Sequence, residues 1–331
     1  MARLRITIAH GDDDKPRARP RRPPLTDVEE VIRALVSAGH EVAAVGIDGT
    51  RESLVRLARV QSDLLFNMVE GFGSDDTKEP NVAAYLELLG LQFTGSGSRG
   101  LSVAMDKPLT KKVLQFHAIR TPRFLTVFRG RLAWADELQF PVIVKPARED
   151  GSIGIGFGAL VNGIKELMER IDALHADFSH PVLVEEYIDG REIYVGVLGN
   201  NPPEALPPIE LDLSHLPKGT PRIAASEVKW QEGTRAYRGS KARVAELPAE
   251  RITALQDAAL TAFRALALRD YARFDFRLAA DGTPFLIEAN PNPHLHSSSE
   301  FSRAARASGR THPRLIREIV EHALRRYGVK A

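Results

Sequence analysis

The sequence predicts an α/β (α+β) chain that opens with a doubly wound parallel sheet and continues into further compact units built partly from antiparallel hairpins. Three observations predict this. Over the first hundred residues, short β-rich runs alternate with helix-patterned ones, which is the grammar of a parallel sheet with crossover helices. Further on, two alternating runs flank Asp281-Gly282, a pairing that favours a tight hairpin turn. Finally, 331 residues with 43% apolar and 27% charged side chains can bury more than one core, so two or three units are expected.

Taken in order, LRITIA (4–9), HEVAAVGI (40–47), DLLFNM (63–68) and LQFTG (91–95) read as strands of the first unit. Between them TDVEEVIRALVSAG, SLVRLARV and PNVAAYLELLG read as helices. Thr26 or Asp27 can cap the first and Gly39 can end it, while Pro80 suits the first turn of the third. KPRARPRRPP (15–24) is too rich in proline and arginine to pack and reads as a solvated loop. A second unit begins near Leu101 with a helix through Lys107 to His117, the strand PVIVKPA, a glycine-rich loop and a helix from Lys165 to about Phe178. A third carries PVLVEEYIDG, REIYVGVLGN, a long helix from about Pro248 to Leu268, the hairpin and a helix from about Pro313 to Arg326.

Composition narrows the chemistry. The 45 basic and 43 acidic residues leave a net charge of +2, which calls for neither nucleic acid nor an anionic membrane as partner. The absence of cysteine removes disulfides, thiolate nucleophiles and cysteine-ligated zinc, and fits a reducing, cytoplasmic setting. The apolar run from Leu4 to Ala9 is too short for a secretory signal, and no stretch reads as a membrane span.

The strongest chemical signal is ARFDFRLAADGTPFLIEAN (272–290). With Asp281-Gly282 as a two-residue turn, Asp275 lies opposite Glu288 and Arg273 opposite Asn290. The period of two then puts these four on one face and Phe274, Phe276, Ile287 and Ala289 on the other. Facing carboxylates about 5 Å apart repel unless a cation lies between them. A hard, oxygen-seeking ion such as Mg²⁺ resolves the repulsion, and so does Arg273 alone; both readings are open at this point.

Two glycine-rich segments compete for a nucleotide. GSGSRG (95–100) matches G-x-G-x-x-G, but no carboxylate occurs between Asp106 and Asp136, where a ribose-binding acid is required, so a dinucleotide site is not expected. No Walker-type loop occurs either. Gly151 to Gly158 follows PVIVKPA and offers backbone N–H groups for close approach to phosphates, with Lys145 supplying a charge; a flexible turn is the bland alternative. That segment and the surroundings of Lys229 have few evident packing residues, so both are expected to be mobile until nucleotide binds.

The order MDK (105–107), PVIVKP (141–146), REDGSIG (148–154), VEEYIDGRE (184–192), KW (229–230), RFDF (273–276) and LIEANPNP (286–293), together with FTGSG (93–97), resembles D-alanine–D-alanine ligase from about residue 63 onward. The resemblance implies an ATP-grasp fold of three domains, 1–102, 103–185 and 186–331, with ATP clasped between the last two. It implies that Lys107 and Lys145 contact ATP phosphates and that Ser152 lies in the phosphate-covering loop. Glu185 and Ile188 would contact adenine and Glu192 the ribose. Lys229 corresponds to the lysine of a closing loop, and Asp275, Glu288 and Asn290 to the Mg²⁺ ligands, with Mn²⁺ as a substitute ion. Arg273 corresponds to the arginine that steadies the acyl phosphate. The reaction implied is ADP-forming ligation of a carboxylate to an amine, with amino acids or other small carboxylates as substrates, and a homodimer as the usual assembly.

Departures from the family concern the substrate side. HGDDDKPRARPRRPP stands where the family carries the glutamate that holds the first substrate's ammonium, leaving Asp27 and Glu29 as substitutes. Glu70 replaces a histidine, His294 stands at a glycine position, and an ungapped count places Ser299 at the serine that receives the second substrate's carboxylate. Specificity other than D-alanine is therefore expected. Extension of a peptide or protein terminus is a neighbouring reading, and a catalytically silent nucleotide-binding regulator is a reading of another class.

Overall fold

The structure is a computed structural model that describes residues 3–11, 26–73, 75–129, 138–149, 151–229 and 241–329. The arginine-rich loop 15–24 and the side chain of Lys229 lie outside the described residues.

In the first unit β1 (Arg5–Gly11), β2 (Glu41–Ile47) and β3 (Leu64–Met68) form a parallel sheet in the order β2-β1-β3. The run LQFTG adds only a single bridge, Phe93 to Leu65, rather than a fourth strand. Alternation along the strands feeds two cores. Ile6, Ile8 and Phe66 pack with Val28, Val31 and Leu35 of α1 (Asp27–Ser37). Ala9 and Leu65 pack on the other face with Leu57 of α2 (Arg51–Ala58) and with Val82 and Leu86 of α3 (Glu79–Leu88). Thr26 caps α1 in a full capping box with Glu29, which fixes where the helix starts.

Two short helices follow, α4 (Ser98–Ala104) and α5 (Lys107–Phe116). The central sheet is antiparallel, in the order β4-β7-β5-β6, from β4 (Phe124–Val127), β5 (Val142–Pro146), β6 (Leu160–Val161) and β7 (Val182–Glu186). It is backed by α6 (Ile164–Asp177), whose Leu167, Ile171 and Leu174 recur at helical spacing and meet Val142, Val144 and Val184.

The last sheet runs β11-β10-β8-β12-β13 with β9 beside β8. Its strands are β8 (Gly190–Leu198), β9 (Glu204–Ala205), β10 (Ile209–Asp212), β11 (Lys241–Val244), β12 (Tyr271–Ala279) and β13 (Pro284–Asn290). A short α7 (Ser226–Lys229) precedes β11. One face of the sheet is covered by α8 (Ala249–Ala265), with Leu255, Ala259 and Phe263 on Val195, Phe274 and Phe276, and Leu114 of α5 joins that core. The other face meets α9 (Glu300–Ala307) and α10 (His312–Arg326), which also close the first core against α1.

The hairpin differs from expectation in two ways that cancel. Its turn has three residues, Ala280 to Gly282. The Ala279 N–H donates to the Thr283 carbonyl at 3.0 Å, Gly282 is left-handed at φ 80°, and Asp281 accepts from the Thr283 N–H at 2.8 Å. A bulge between Asp275 and Phe276 then restores the register, so Asp275 still faces Glu288 and Arg273 faces Asn290. The residue absorbed by the bulge is Ile287. It leaves the core face expected for it and lines the same pocket as Glu288, while Leu286 takes the buried place.

Candidate active site

The hairpin supplies the centre. Arg273 makes a bidentate pair with Asp275, Nε to Oδ1 at 2.8 Å and Nη2 to Oδ2 at 2.9 Å, and lies 3.6 Å from Glu300. Its guanidinium also sits 5.0 Å from the centre of the Tyr194 ring. Burial works against the Arg273 charge, but the charge and hydrogen bonds of Asp275 outweigh it, so the group is held firmly protonated. Glu288 has a different counterion, Lys107, whose Nζ is 2.7 Å from Oε1 and also donates to the Glu149 carbonyl at 2.5 Å. The repulsion between the facing carboxylates is thus relieved by one cation each. Asn290 donates its amide to the Arg273 carbonyl at 3.5 Å. Among the described residues no three His, Cys, Asp or Glu side chains gather as a metal cage. The candidate set is two carboxylates and one amide on one face, hard oxygens that suit a divalent cation whose remaining ligands come from phosphates and water.

Beside this centre lies a pocket walled by Ile143, Ile155, Ile188, Ile223 and Ile287, with Lys145, Ser152, Glu185, Glu192, Asp275, Arg277 and Glu288 among its polar lining groups. Isoleucine walls with convergent polar groups suit a heteroaromatic base that carries a charged tail. Glu185 is buried between two lysines, with Oε1 2.6 Å from Lys145 Nζ and Oε2 2.8 Å from Lys111 Nζ. Burial alone would raise its pKa, but the two ammonium groups hold it below the ordinary carboxylate range. Glu192 pairs with Arg277 at 2.9 Å, and Arg277 Nε also donates to the Ile188 carbonyl at 3.0 Å, so one guanidinium braces two of the expected nucleotide contacts.

The glycine-rich loop is not loose. Ser152, left-handed at φ 64°, donates its hydroxyl to the Ala224 carbonyl at 3.0 Å. The Ser226 N–H donates to the Ile155 carbonyl at 2.9 Å, and the Phe157 N–H to Glu227 Oε1 at 3.1 Å. Ile155 and Phe157 pack with Ile223 and Ala225. The loop and the segment leading to Lys229 are fastened to each other, which corrects the expectation that both lack packing partners. Lys229 ends α7, and its side chain is outside the described residues.

Next to this pocket along the same face of the hairpin, a cleft of about 600 Å³ is lined by Asp27, Glu70, Tyr194, Arg273, Asn290, His294 and Ser299, among others. His294 Nδ1 lies 3.3 Å from Asp27 Oδ2 and 3.7 Å from Glu70 Oε1. The Asp27 hydrogen bond, opposed by burial and aided by the charges of Glu70 and Asp27, pushes His294 up to about 9. Asp27 also accepts from the His296 N–H at 3.2 Å, and Glu30 accepts from the Ser297 N–H at 2.6 Å, so the first turn of α1 grips the loop after β13. Ser299 lines the cleft while capping α9, accepting from the Ser302 N–H at 3.2 Å and donating to the His294 carbonyl at 2.9 Å. Glu29 is committed to its capping box and does not line the cleft, whereas Asp27 does.

The structure thus gathers Lys145, Ser152, Glu185, Ile188, Glu192, Asp275 and Glu288 at one pocket, and Glu70, Arg273, Asn290, His294 and Ser299 at the adjoining cleft. Lys107 joins them through Glu288. Sequence reasoning missed Lys111, Arg277 and Ile287. Arg277 was findable, since it shares the alternating face of Asp275; Ile287 depended on an invisible bulge. The GSGSRG glycines serve packing. A Cβ at Gly95 would stand 2.5 Å from Asn292 Oδ1 and one at Gly100 2.8 Å from the Ala267 carbonyl, and the Gly95 N–H donates to buried Asp270 at 2.9 Å.

Comparison with known proteins is consistent across methods. The family model described as the D-ala D-ala ligase C-terminus matches residues 113–321. An uncharacterized protein, y4sG, of Sinorhizobium fredii is 35% identical over 307 residues, covering 90% of this chain and 88% of that protein. The D-alanine–D-alanine ligase of Bordetella petrii is 36% identical over 297 residues, covering 88% and 85%. Among solved structures, the D-alanine–D-alanine ligase of Bacillus anthracis complexed with ATP superposes with a TM-score of 0.74 at 23% identity, covering 98% of this chain and 99% of that one. The VanG D-Ala:D-Ser ligase of Enterococcus faecalis gives 0.74 at 20% identity, covering 97% and 99%.

Proposed function

Since the chain belongs to the D-alanine–D-alanine ligase family, with its ATP-grasp fold, we propose that it is an ADP-forming carboxylate–amine ligase that works through an acyl phosphate on a substrate pair other than two D-alanines. One observation carries this reading. The four hairpin side chains are shared between two cavities: Asp275 and Glu288 line the isoleucine-walled pocket, while Arg273 and Asn290 line the wide cleft. A nucleotide in the pocket would present its terminal phosphate where the cleft presents a carboxylate, and that juxtaposition is what phosphorylation of a carboxylate needs.

In this reading Ile143, Ile155, Ile188, Ile223 and Ile287 enclose the base, and Glu192, braced by Arg277, receives the ribose hydroxyls. Lys145 and Lys107 meet phosphate oxygens, and Ser152 presents the glycine-rich loop over them. Asp275, Glu288 and Asn290 would hold Mg²⁺, which supplies charge neutralisation to the phosphates during transfer. Arg273, kept protonated by its surroundings, is placed to stabilise the oxyanion that forms when the amine attacks the acyl phosphate. Ser299 at the start of α9 faces the incoming carboxylate of an amino-acid acceptor. The fastened segments 151–158 and 223–229 cover the reaction and keep water from the acyl phosphate.

The clasp of His294 between Asp27 and Glu70 supports a changed specificity, because an imidazolium and two carboxylates occupy the mouth of the first-substrate region. A coupled ADP-release assay over pairs of L- and D-amino acids and other small carboxylates, with mass spectrometry of products, tests the proposal. ADP release that requires both partners and yields their amide is expected. Nucleotide binding with no release for any pair would favour the silent regulator. Efficient dipeptide formation from D-alanine alone, with a KM at or below about 1 mM, would refute the changed specificity.

A further inference from the structure

The buried cluster beside the nucleotide pocket holds one cation too many for its own needs. Two ammonium groups, Lys111 and Lys145, share the single carboxylate of Glu185, and all three side chains are almost fully buried. Neither Lys111 Nζ nor Glu185 Oε2 has a hydrogen-bond partner beyond this ion pair among the described residues. The two lysines are not equivalent. Lys145 comes from β5, whose Ile143 pairs with Glu185 on β7, and its side chain lines the pocket. Lys111 comes from α5 and does not line the pocket; it reaches the carboxylate from behind, 5.9 Å from the centre of the Phe124 ring. It lies one helical turn beyond Lys107 on the same face of α5, and Lys107 neutralises Glu288 in the same way.

We propose that Lys111 is a positioning residue for nucleotide binding: it is the standing counterion of Glu185, so that Lys145 can turn from Glu185 to a nucleotide phosphate without stranding a buried carboxylate. The inference rests on the reading of the pocket as an ATP site. Burying an ammonium that never meets the ligand is costly unless the carboxylate it serves must stay paired throughout. With Lys145 alone, every nucleotide that recruited the lysine would leave Glu185 uncompensated, and binding would be opposed by that penalty. With both lysines protonated the empty cluster carries one excess positive charge; burial and Lys145 push the Lys111 pKa down against the pull of Glu185, and an arriving phosphate that draws Lys145 away relieves that strain on the charge. Helix α5 thereby supplies the counterions of two acidic groups of the site, Glu288 through Lys107 and Glu185 through Lys111.

The test compares calorimetric binding of ADP and of a non-hydrolysable ATP analogue, each with Mg²⁺, to the full chain and to four variants: Lys111→Met, Lys111→Arg, Glu185→Gln, and Lys111→Met combined with Glu185→Gln. Lys111→Met is expected to weaken binding at least about tenfold and, in turnover, to raise the KM for ATP while kcat stays within about threefold. Lys111→Arg should keep most of the affinity. Because Glu185 itself lines the pocket, the double variant is read against Glu185→Gln: there Lys111→Met should cost little binding, since no carboxylate remains to be stranded. Parent-like binding by Lys111→Met overturns the proposal. So does a loss from Lys111→Met that is as large in the Glu185→Gln background as in the parent. Should Lys111→Met fail to fold, the arginine and double variants decide, since a folded double variant more than about tenfold weaker than Glu185→Gln contradicts the counterion role. Failure of the parent chain to bind either nucleotide would sink the ATP-site reading instead, so the two failures are distinguishable.

Discussion

Asp275 and Glu288 illustrate how much single residues can tell before a structure exists. Facing carboxylates on one strand face demand a cation, and the structure provides Arg273 for one and Lys107 for the other. Replacing either carboxylate with alanine should reduce Mg²⁺-dependent ATP turnover at least about 100-fold while the circular dichroism stays near the parent's and the melting temperature falls, because Arg273 or Lys107 loses its buried counterion; turnover within a few-fold of the parent would remove these residues from the metal site. His294 makes a different kind of prediction. Its pKa is raised from the ordinary 6.5 to about 9, chiefly by the Asp27 hydrogen bond, so the stabilisation is fully present below about 6.5 and is lost as pH rises through about 9. The loop after β13 should therefore lose hydrogen-exchange protection as the pH passes through about 9, and His294→Gln should abolish that transition. A transition unchanged in the variant would show that another group governs the loop. Lys111 was illegible in the sequence because a lysine one turn from Lys107 on an amphipathic helix reads as a solvated face; only the packing of α5 against the central sheet reveals that it is buried.

At the scale of elements, helix ends were legible because caps are local chemistry: Thr26 with Glu29 starts α1, and Pro80 stands in the first turn of α3. The hairpin was legible only in part. Periodicity located Asp275 opposite Glu288, but the three-residue turn and the compensating bulge are decided by twist and by packing on β8, neither of which a period of two records. The same limit hid the fastening of the glycine-rich loop, since Ile155, Phe157, Ile223 and Ala225 are scattered over the chain and meet only in space. That fastening carries its own consequence. Segments 151–158 and 223–229 should gain protection together when an ATP analogue and Mg²⁺ bind, and Glu227→Ala, which removes the acceptor of the Phe157 N–H, should uncouple them. Independent responses of the two segments in the parent protein would argue against a single cover.

At the scale of the whole molecule, the alternation of strands and helices announced the first parallel sheet, and the order of motifs announced the family. What neither announced is how the units meet. Helix α1 of the first unit grips the loop after β13 through Asp27 and Glu30, and buried Asp270 joins the Gly95 turn to Arg326 of α10; the wide cleft draws Asp27 and Glu70 from the first unit and Tyr194, Arg273 and Ser299 from the last. These contacts are long-range and polar, and side chains that make them read as surface residues in the sequence. In the proposed reaction this cleft and the adjoining pocket join through the hairpin to phosphorylate a carboxylate. The most direct measurement is isotopic: with the substrate pair found by ADP release, the carboxylate of the first substrate is labelled with ¹⁸O and the inorganic phosphate is analysed by mass spectrometry. One labelled oxygen is expected in phosphate for each amide bond formed, whereas amide formation that leaves the phosphate unlabelled would rule out an acyl phosphate.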